Sequence, residues 1–265
     1  MKTNFHTHTY RCGHAVGTER EYVEKAIEFG FEELGFSEHA PMPFPDDVPR
    51  DNLDRLLAMR MKTSEAEEHF NILVALREEY KNDIKLHIGL EVEYFDGFFD
   101  KFIDYIKDFP VEYLILGQHF GDMYEEPLFY NGAQKDSDSR LRKYVDTVIK
   151  AIETDKITYV AHPDVIFYRH SLEVYEREMA RLISCAKGHN LPLEINLYGL
   201  QEVRNYPTLA FWQIANSMGC DVVIGSDAHR PENLKNPYAV KQAEMMLDNF
   251  KNLNLIERPV FKRIK

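Results

Sequence analysis

Asn4-Phe5-His6-Thr7-His8-Thr9-Tyr10-Arg11-Cys12-Gly13-His14 is the stretch on which the fold turns. Side chains alternate along a strand, so His6 and His8 share a face, and Gly13 permits a turn that brings His14 back over the strand end. Three converging imidazoles suggest a metal site. The pair alone is weak, because 11 histidines in 265 residues give roughly 0.5 His-x-His matches by chance. Polar residues elsewhere in the chain must supply the case.

Those residues recur at a fixed place in a repeating pattern. Short apolar runs at about residues 2–7, 33–37, 85–92, 112–117, 157–161, 191–195 and 221–225 read as seven strands. Helical periodicity fills most of the intervals, as in Tyr22, Val23, Ala26 and Ile27 behind a Thr18/Glu21 capping box, or Leu141, Tyr144, Val145, Val148 and Ile152. Alternating strands and helices with apolar strands argue for a parallel sheet. His6/His8, His39, Glu91, His119, His162 and Asp227/His229 fall at or just beyond the C-terminal ends of six of these strands. In a closed barrel those ends meet on one rim, whereas an open sheet strings them along an edge. The expectation is a closed α/β barrel, a single domain over residues 1–265, with its site on the C-terminal rim.

Composition narrows the function. A net charge of −12, spread along the chain, works against a nucleic-acid surface, so no nucleic-acid partner is expected. No apolar run reaches the ~20 residues of a membrane span, and the N-terminus leads straight into a strand, so a cytoplasmic protein without a membrane partner is expected. Cys12, Cys185 and Cys220 are odd in number and lack CxxC spacing, and are read as reduced and mostly core residues. Nothing in the sequence speaks to oligomeric state.

His6, His8, His14, His39, His119, His162 and His229 with Glu91 and Asp227 are too many ligands for one tetrahedral ion. Two to three divalent ions are expected, and zinc, iron and manganese all accept this ligand mix. Glu91 is the expected bridge and Asp227 the second carboxylate; with His229 they are the catalytic candidates. His69, His87, His170 and His189 are read as structural, Cys12 as packing, and the Pro41–Pro49 segment as a rigid surface loop.

The motifs His6-Thr7-His8, Ser37-Glu38-His39, Gly89-Leu90-Glu91-Val92-Glu93, Gly117-Gln118-His119-Phe120, Ala161-His162-Pro163-Asp164, Glu194-Ile195-Asn196 and Gly225-Ser226-Asp227-Ala228-His229 run in order along essentially the whole chain. As a set they resemble the polymerase and histidinol phosphatase (PHP) superfamily, and within it the monofunctional histidinol-phosphatases of histidine biosynthesis. That resemblance implies a distorted seven-stranded (β/α)7 barrel with a trinuclear centre. By the same resemblance, His6, His8, Glu91 and Asp227 hold one ion, Glu91, His119 and His162 a second, and His14, His39 and His229 a third. It implies hydrolysis of L-histidinol phosphate to L-histidinol and phosphate, with the metals acidifying a bridging water.

One departure concerns the small phosphorylated substrate. Related histidinol-phosphatases carry a basic residue soon after the glycine that follows Glu-Ile-Asn, whereas here the segment reads Tyr198-Gly199-Leu200-Gln201-Glu202-Val203-Arg204. Arg204 takes that phosphate-contacting role, with Arg11 and Arg169 as further substrate-binding candidates. Three rival readings are weighed. A PHP phosphoesterase for nucleotides or other small phosphomonoesters keeps the site; an amidohydrolase would need a strand-end lysine that is missing; a non-catalytic scaffold sits poorly with a complete ligand set.

Overall fold

The computed structural model describes residues 1–134 and 137–264. Lys135 and Asp136, in a polar loop expected over 121–138, and Lys265 of the basic tail lie outside them. Strands β1 (Thr3–Asn4), β2 (Glu33–His39), β3 (Lys85–Val92), β4 (Tyr113–Leu116), β5 (Tyr159–Val160), β6 (Leu193–Asn196), β7 (Asp221–Gly225) and β8 (Asn254–Leu255) form one sheet in sequence order. Every neighbouring pair is parallel. Helices α1 (Glu19–Glu28), α2 (Arg50–Leu57), α3 (Ala66–Glu79), α4 (Phe99–Ile106), α5 (Asp138–Glu153), α6 (Leu172–Gly188), α7 (Leu197–Gln201), α8 (Leu209–Met218) and α9 (Pro237–Asn249) lie between them.

The barrel-type fold is the expected one; the strand count is eight instead of seven. β8 lies beyond the seven expected strands: its two residues are exposed and carry no apolar pattern, yet they continue the sheet beside Asp221 and Val222. Closure is achieved at the rim, where Thr7 bridges Ala228, His8 N donates to Ala228 O at 3.1 Å and Ser226 N donates to Asn4 Oδ1 at 2.9 Å. The ends of β1 and β7 are thereby brought together, and their histidines with them.

Two cores hold the barrel. The larger packs the helices on the outside of the sheet, with Trp212, Phe36, Phe70 and Phe102 sealed in it. The smaller fills the inside: Phe5, Tyr113, Ile115, Tyr159, Ala161 and Val223, capped below by Phe261, whose ring stacks on Tyr113 at 4.7 Å. Tyr113 Oη donates to Phe5 O at 3.0 Å and Phe36 O at 2.9 Å, so the filler is tied to β2 and to the chain after β1. It fits because Gly35 and Gly89 lack side chains; a Cβ at either would come within 2.3 Å of Tyr113. A sealed apolar floor therefore lies beneath the polar rim.

Candidate metal centre

β3 places the central group. Its alternation turns Glu91 into the barrel, where the residue is 2% exposed. The carboxylate occupies the space of a missing side chain, since a Cβ on Gly117 of the neighbouring strand end would lie 1.8 Å from Glu91 Oε1. Five imidazoles surround it. His162 Nε2 lies at 2.9 Å and His39 Nδ1 at 2.9 Å, with His8 at 3.4, His6 at 3.6 and His119 at 3.8 Å. Asp227 Oδ1 is 3.2 Å from His8 Nε2, 3.4 Å from His6 Nε2 and 3.5 Å from His229 Nδ1. His162 (φ 29) and Asp227 (φ 49) both adopt the left-handed region that side-chain-bearing residues seldom take. Each lies two residues beyond its strand, where the chain turns across the rim.

His14 joins from the first loop, its ring 5.2 Å from His39 and 4.8 Å from His229. All nine expected ligands are thus brought together. Their donor atoms fall into the groups His6/His8/Glu91, His6/His162/Asp227, His39/Glu91/His119, His8/His39/His229 and Cys12/His14/His229. These groups place His39 beside Glu91 and His119 as well as His229, and His162 beside Asp227. The buried Cys12 comes within ligand distance of His14 and His229, although its thiol donates to Thr9 O at 3.3 Å. His69, His87, His170 and His189 belong to none of them among the described residues.

The orientation of the imidazoles comes from a shell of partners. His6 Nδ1 donates to Glu194 Oε1 at 2.7 Å, His8 Nδ1 to Glu38 Oε1 at 3.4 Å, His14 Nδ1 to Cys12 O at 3.0 Å and His229 Nδ1 to Asp227 O at 2.9 Å. Occupying Nδ1 fixes the ring and turns Nε2 inward, the arrangement that metal-binding histidines favour. Glu194 also accepts from His162 N and Asn196 Nδ2, and its carboxylate fills the place of a Cβ on Gly225. Glu38 further accepts from Thr9 N at 2.8 Å. Glu38, Glu194 and Asn196 were not singled out from sequence as functional; a carboxylate on an apolar strand was the available signal.

Charge states follow from this crowding. Burial opposes a proton on His6, but Glu194, Asp227 and Glu91 outweigh it and hold its pKa well above the usual histidine value. For His8, burial is outweighed by Asp227, Glu38 and Glu91, and the pKa rises to about 9; His162 is raised likewise, mainly through Glu91. Burial dominates further out: His119 drops to about 3 and His229 to about 4, and His39 and His14 are also lowered. Burial works against charge on Glu91 and Asp227 too, yet the imidazoles keep both well below the ordinary carboxylate range.

The residues fit a metal. His6 Nε2 and His8 Nε2 stand 3.1 Å apart with both Nδ1 atoms already engaged, so a proton or a metal ion must be shared between them. Glu91 Oε2 is sealed from solvent and accepts no hydrogen bond. Imidazole and carboxylate together are the donor set of divalent zinc, iron or manganese, and the cluster is built to hold divalent metal.

The arginine candidates part company. Arg11 is buried with its guanidinium on Glu19 (2.5 Å) and Glu68 (3.1 Å), so its charge is engaged away from the cluster and it is not placed as a substrate contact. Arg169 lies over Phe167 on the wall of a neighbouring cavity of about 290 Å³ shared with Tyr175 and Thr208. Arg204 reaches the site through aromatic neighbours: its Nη2 donates to Tyr198 Oη at 3.0 Å, and the Tyr198 ring lies 4.8 Å from His229.

A parallel barrel-type sheet, drawn together at its C-terminal rim by the Thr7–Ala228 bridge and carrying a multi-histidine metal centre there, defines the class. The chain belongs to the PHP domain family, which matches residues 4–197. Among curated relatives, the Bacillus subtilis protein named histidinol-phosphatase is 24% identical over 258 residues, covering 87% of this chain and 94% of the relative. A Deinococcus radiodurans protein named "Probable histidinol-phosphatase" is 28% identical over 243 residues, covering 85% of each. The solved structure of Lactococcus lactis histidinol phosphate phosphatase, complexed with zinc, L-histidinol and phosphate, superimposes with a TM-score of 0.69 at 18% identity, covering 100% of this chain and 98% of that one. Among the described residues no helix is long and apolar enough to cross a membrane.

Proposed function

We propose that the chain is a metal-dependent phosphomonoesterase that hydrolyses L-histidinol phosphate to L-histidinol and phosphate. The observation that carries this reading is Glu91, sealed in the barrel with five imidazoles around it and no lysine or arginine paired to it among the described residues. The relatives' shared name supplies the substrate. Two to three ions, of zinc, iron or manganese, are assigned to His6, His8, His14, His39, Glu91, His119, His162, Asp227 and His229, with Glu91 as the bridge.

Bound divalent ions supply Lewis acidity to phosphate oxygens and bring the pKa of a coordinated water toward neutrality. The chain's own residues do the rest. Glu194 and Glu38 hold the His6 and His8 rings in place from behind. Asp227 and His229, on one turn after β7, set the opposite wall, and Arg204 offers its guanidinium to an outer phosphate oxygen. Water attacks phosphorus, the P–O ester bond breaks, and the alcohol departs with a proton. No serine or cysteine nucleophile is needed; burial pushes the Cys12 thiol far up, out of reach of a thiolate role.

The test is phosphate release from L-histidinol phosphate by metal-loaded protein, with metal content measured on the same sample and a mononucleotide for comparison. Efficient, chelator-sensitive turnover with little action on the nucleotide is expected. A fully loaded protein that prefers the nucleotide, or releases nothing from either, overturns the substrate assignment.

A further inference from the structure

Tyr206 occupies a position that holding metal does not account for. It is 6% exposed, and its ring lies 5.4 Å from the His162 ring at 47°. The loop carrying it is fastened on both sides. Arg204 N donates to Gly199 O at 2.9 Å, Asn205 Nδ2 donates to Val165 O at 2.8 Å, and Thr208 N donates to Asp164 Oδ2. Two of these anchors, Asp164 and Val165, follow directly on His162. The approach to α7 is tight enough to require glycine, since a Cβ on Gly199 would lie 2.4 Å from Tyr206 O and 2.6 Å from its Cδ2.

The hydroxyl at the end of this fixed side chain makes no hydrogen bond to protein among the described residues, and it is not sealed from solvent. Asp227, Glu91, Tyr130 and Arg204 are all near enough for their charges to act on it. Were packing against His162 its whole task, phenylalanine would serve. A neutral donor beside carboxylates has a clear use where a doubly charged phosphate must be accepted. It adds a hydrogen bond without a cation that the carboxylates would capture.

We propose that Tyr206 is a catalytic residue whose phenolic O–H donates a hydrogen bond to a non-bridging oxygen of the phosphate ester, next to the Arg204 guanidinium. The inference rests on the phosphomonoesterase reading above. The proton is not transferred; the bond strengthens as charge redistributes over the phosphoryl oxygens during displacement. Catalysis on this account uses fixed donors as well as metal.

Tyr206→Phe tests it, with kcat and KM for L-histidinol phosphate, inhibition by inorganic phosphate, metal content and Tm all measured on enzyme loaded with one metal. The expected result is a loss of roughly 10- to 100-fold in kcat/KM, carried mainly by kcat, with weakened phosphate inhibition and unchanged metal content. Gly199→Ala, which displaces Tyr206 without altering it, should weaken phosphate inhibition in the same direction. Kinetics and phosphate inhibition within twofold of the parent in Tyr206→Phe overturn the assignment. So does a loss of metal, which would make Tyr206 a support for His162 only. If the unaltered protein releases no phosphate at all, it is the function reading that falls, a result distinct from either.

Discussion

Buried carboxylates in this protein are of two kinds, sorted by place. Outside the ligand cluster, each has a guanidinium or ammonium: Glu19 has Arg11 at 2.5 Å, Glu93 has Arg60 at 2.5 Å, and Glu33 has Arg258 and Lys85. At the rim, Glu38, Glu91, Glu194 and Asp227 are paired with imidazoles alone among the described residues. Asp164, with neither, accepts from Thr208 and is pushed by burial up to about 6. A buried anion must be matched, protonated or left costly. Arginine matches it permanently, whereas imidazole matches it only while protonated and is free to become a ligand when a metal supplies the charge. The location where the chain withholds arginine is therefore the location reserved for ions.

The strongest challenge to this contrast is Glu91→Gln. It should remove at least one ion and lower turnover by about 1000-fold or more, since the group shared by five imidazoles is lost. Because Glu91 is matched in metal-free protein by the protonated imidazoles of His6, His8 and His162, the metal-free variant should also unfold more easily than metal-free parent. Metal analysis and chelator-treated melting curves decide it, and full activity with full metal would defeat the bridging role. Arg60→Met addresses the other kind of carboxylate. Leaving Glu93 buried without its partner should cost about 3 kcal/mol of folding stability, to the same extent with and without metal, as read from denaturant midpoints. Glu194→Gln is smaller again. Its amide oxygen can still accept from His6 Nδ1 while its amide nitrogen loses the bonds from His162 N and Asn196 Nδ2, so a reduction of roughly 10- to 100-fold in metal affinity is expected, with a lowered Tm. An unchanged affinity in a competition titration would make Glu194 a packing residue.

How much of this was legible beforehand depended on range. Glu91 could be placed because Lys85–Val92 alternates cleanly, and alternation is a local property that survives into the barrel. The rim itself followed from histidines at successive strand ends, which converge once parallel order is joined by closure of the sheet. β8 was illegible because two exposed residues owe their pairing to β7, not to any pattern of their own. Arg11 looked available because its partners, Glu19 on α1 and Glu68 on α3, are brought to it only by folding. Glu194 and Glu38 were visible as acids on strands, but which imidazole each would hold is a matter of barrel closure. Tyr206 was the least legible, since its place depends on anchors some 40 residues earlier, at Asp164 and Val165.

The mildest probe of the contrast is acid. Glu19 is held down to about 2 by His69 and Arg11 against the opposing effect of its burial, compared with 4.5 for an ordinary glutamate. A carboxyl that binds its proton less readily folded than unfolded stabilises the protein above its unfolded value, and that contribution fades as the pH falls through the folded one. The window therefore runs from about 4.5 down to about 2, and only about 1 kcal/mol should be lost between pH 7 and pH 4. Glu19→Gln should remove this share of the pH dependence from metal-free protein, flattening the stability profile over that interval while leaving metal binding at neutral pH unchanged. The rim acids respond to acid differently, because their imidazole partners stay protonated as the pH falls while ligands for ions are lost. Acid should accordingly strip metal before it disturbs the Arg11 pair. If metal loss and the Glu19-dependent destabilisation instead appeared at the same pH and vanished together in Glu19→Gln, the two kinds of carboxylate would be one coupled network and the separation drawn between them would fail.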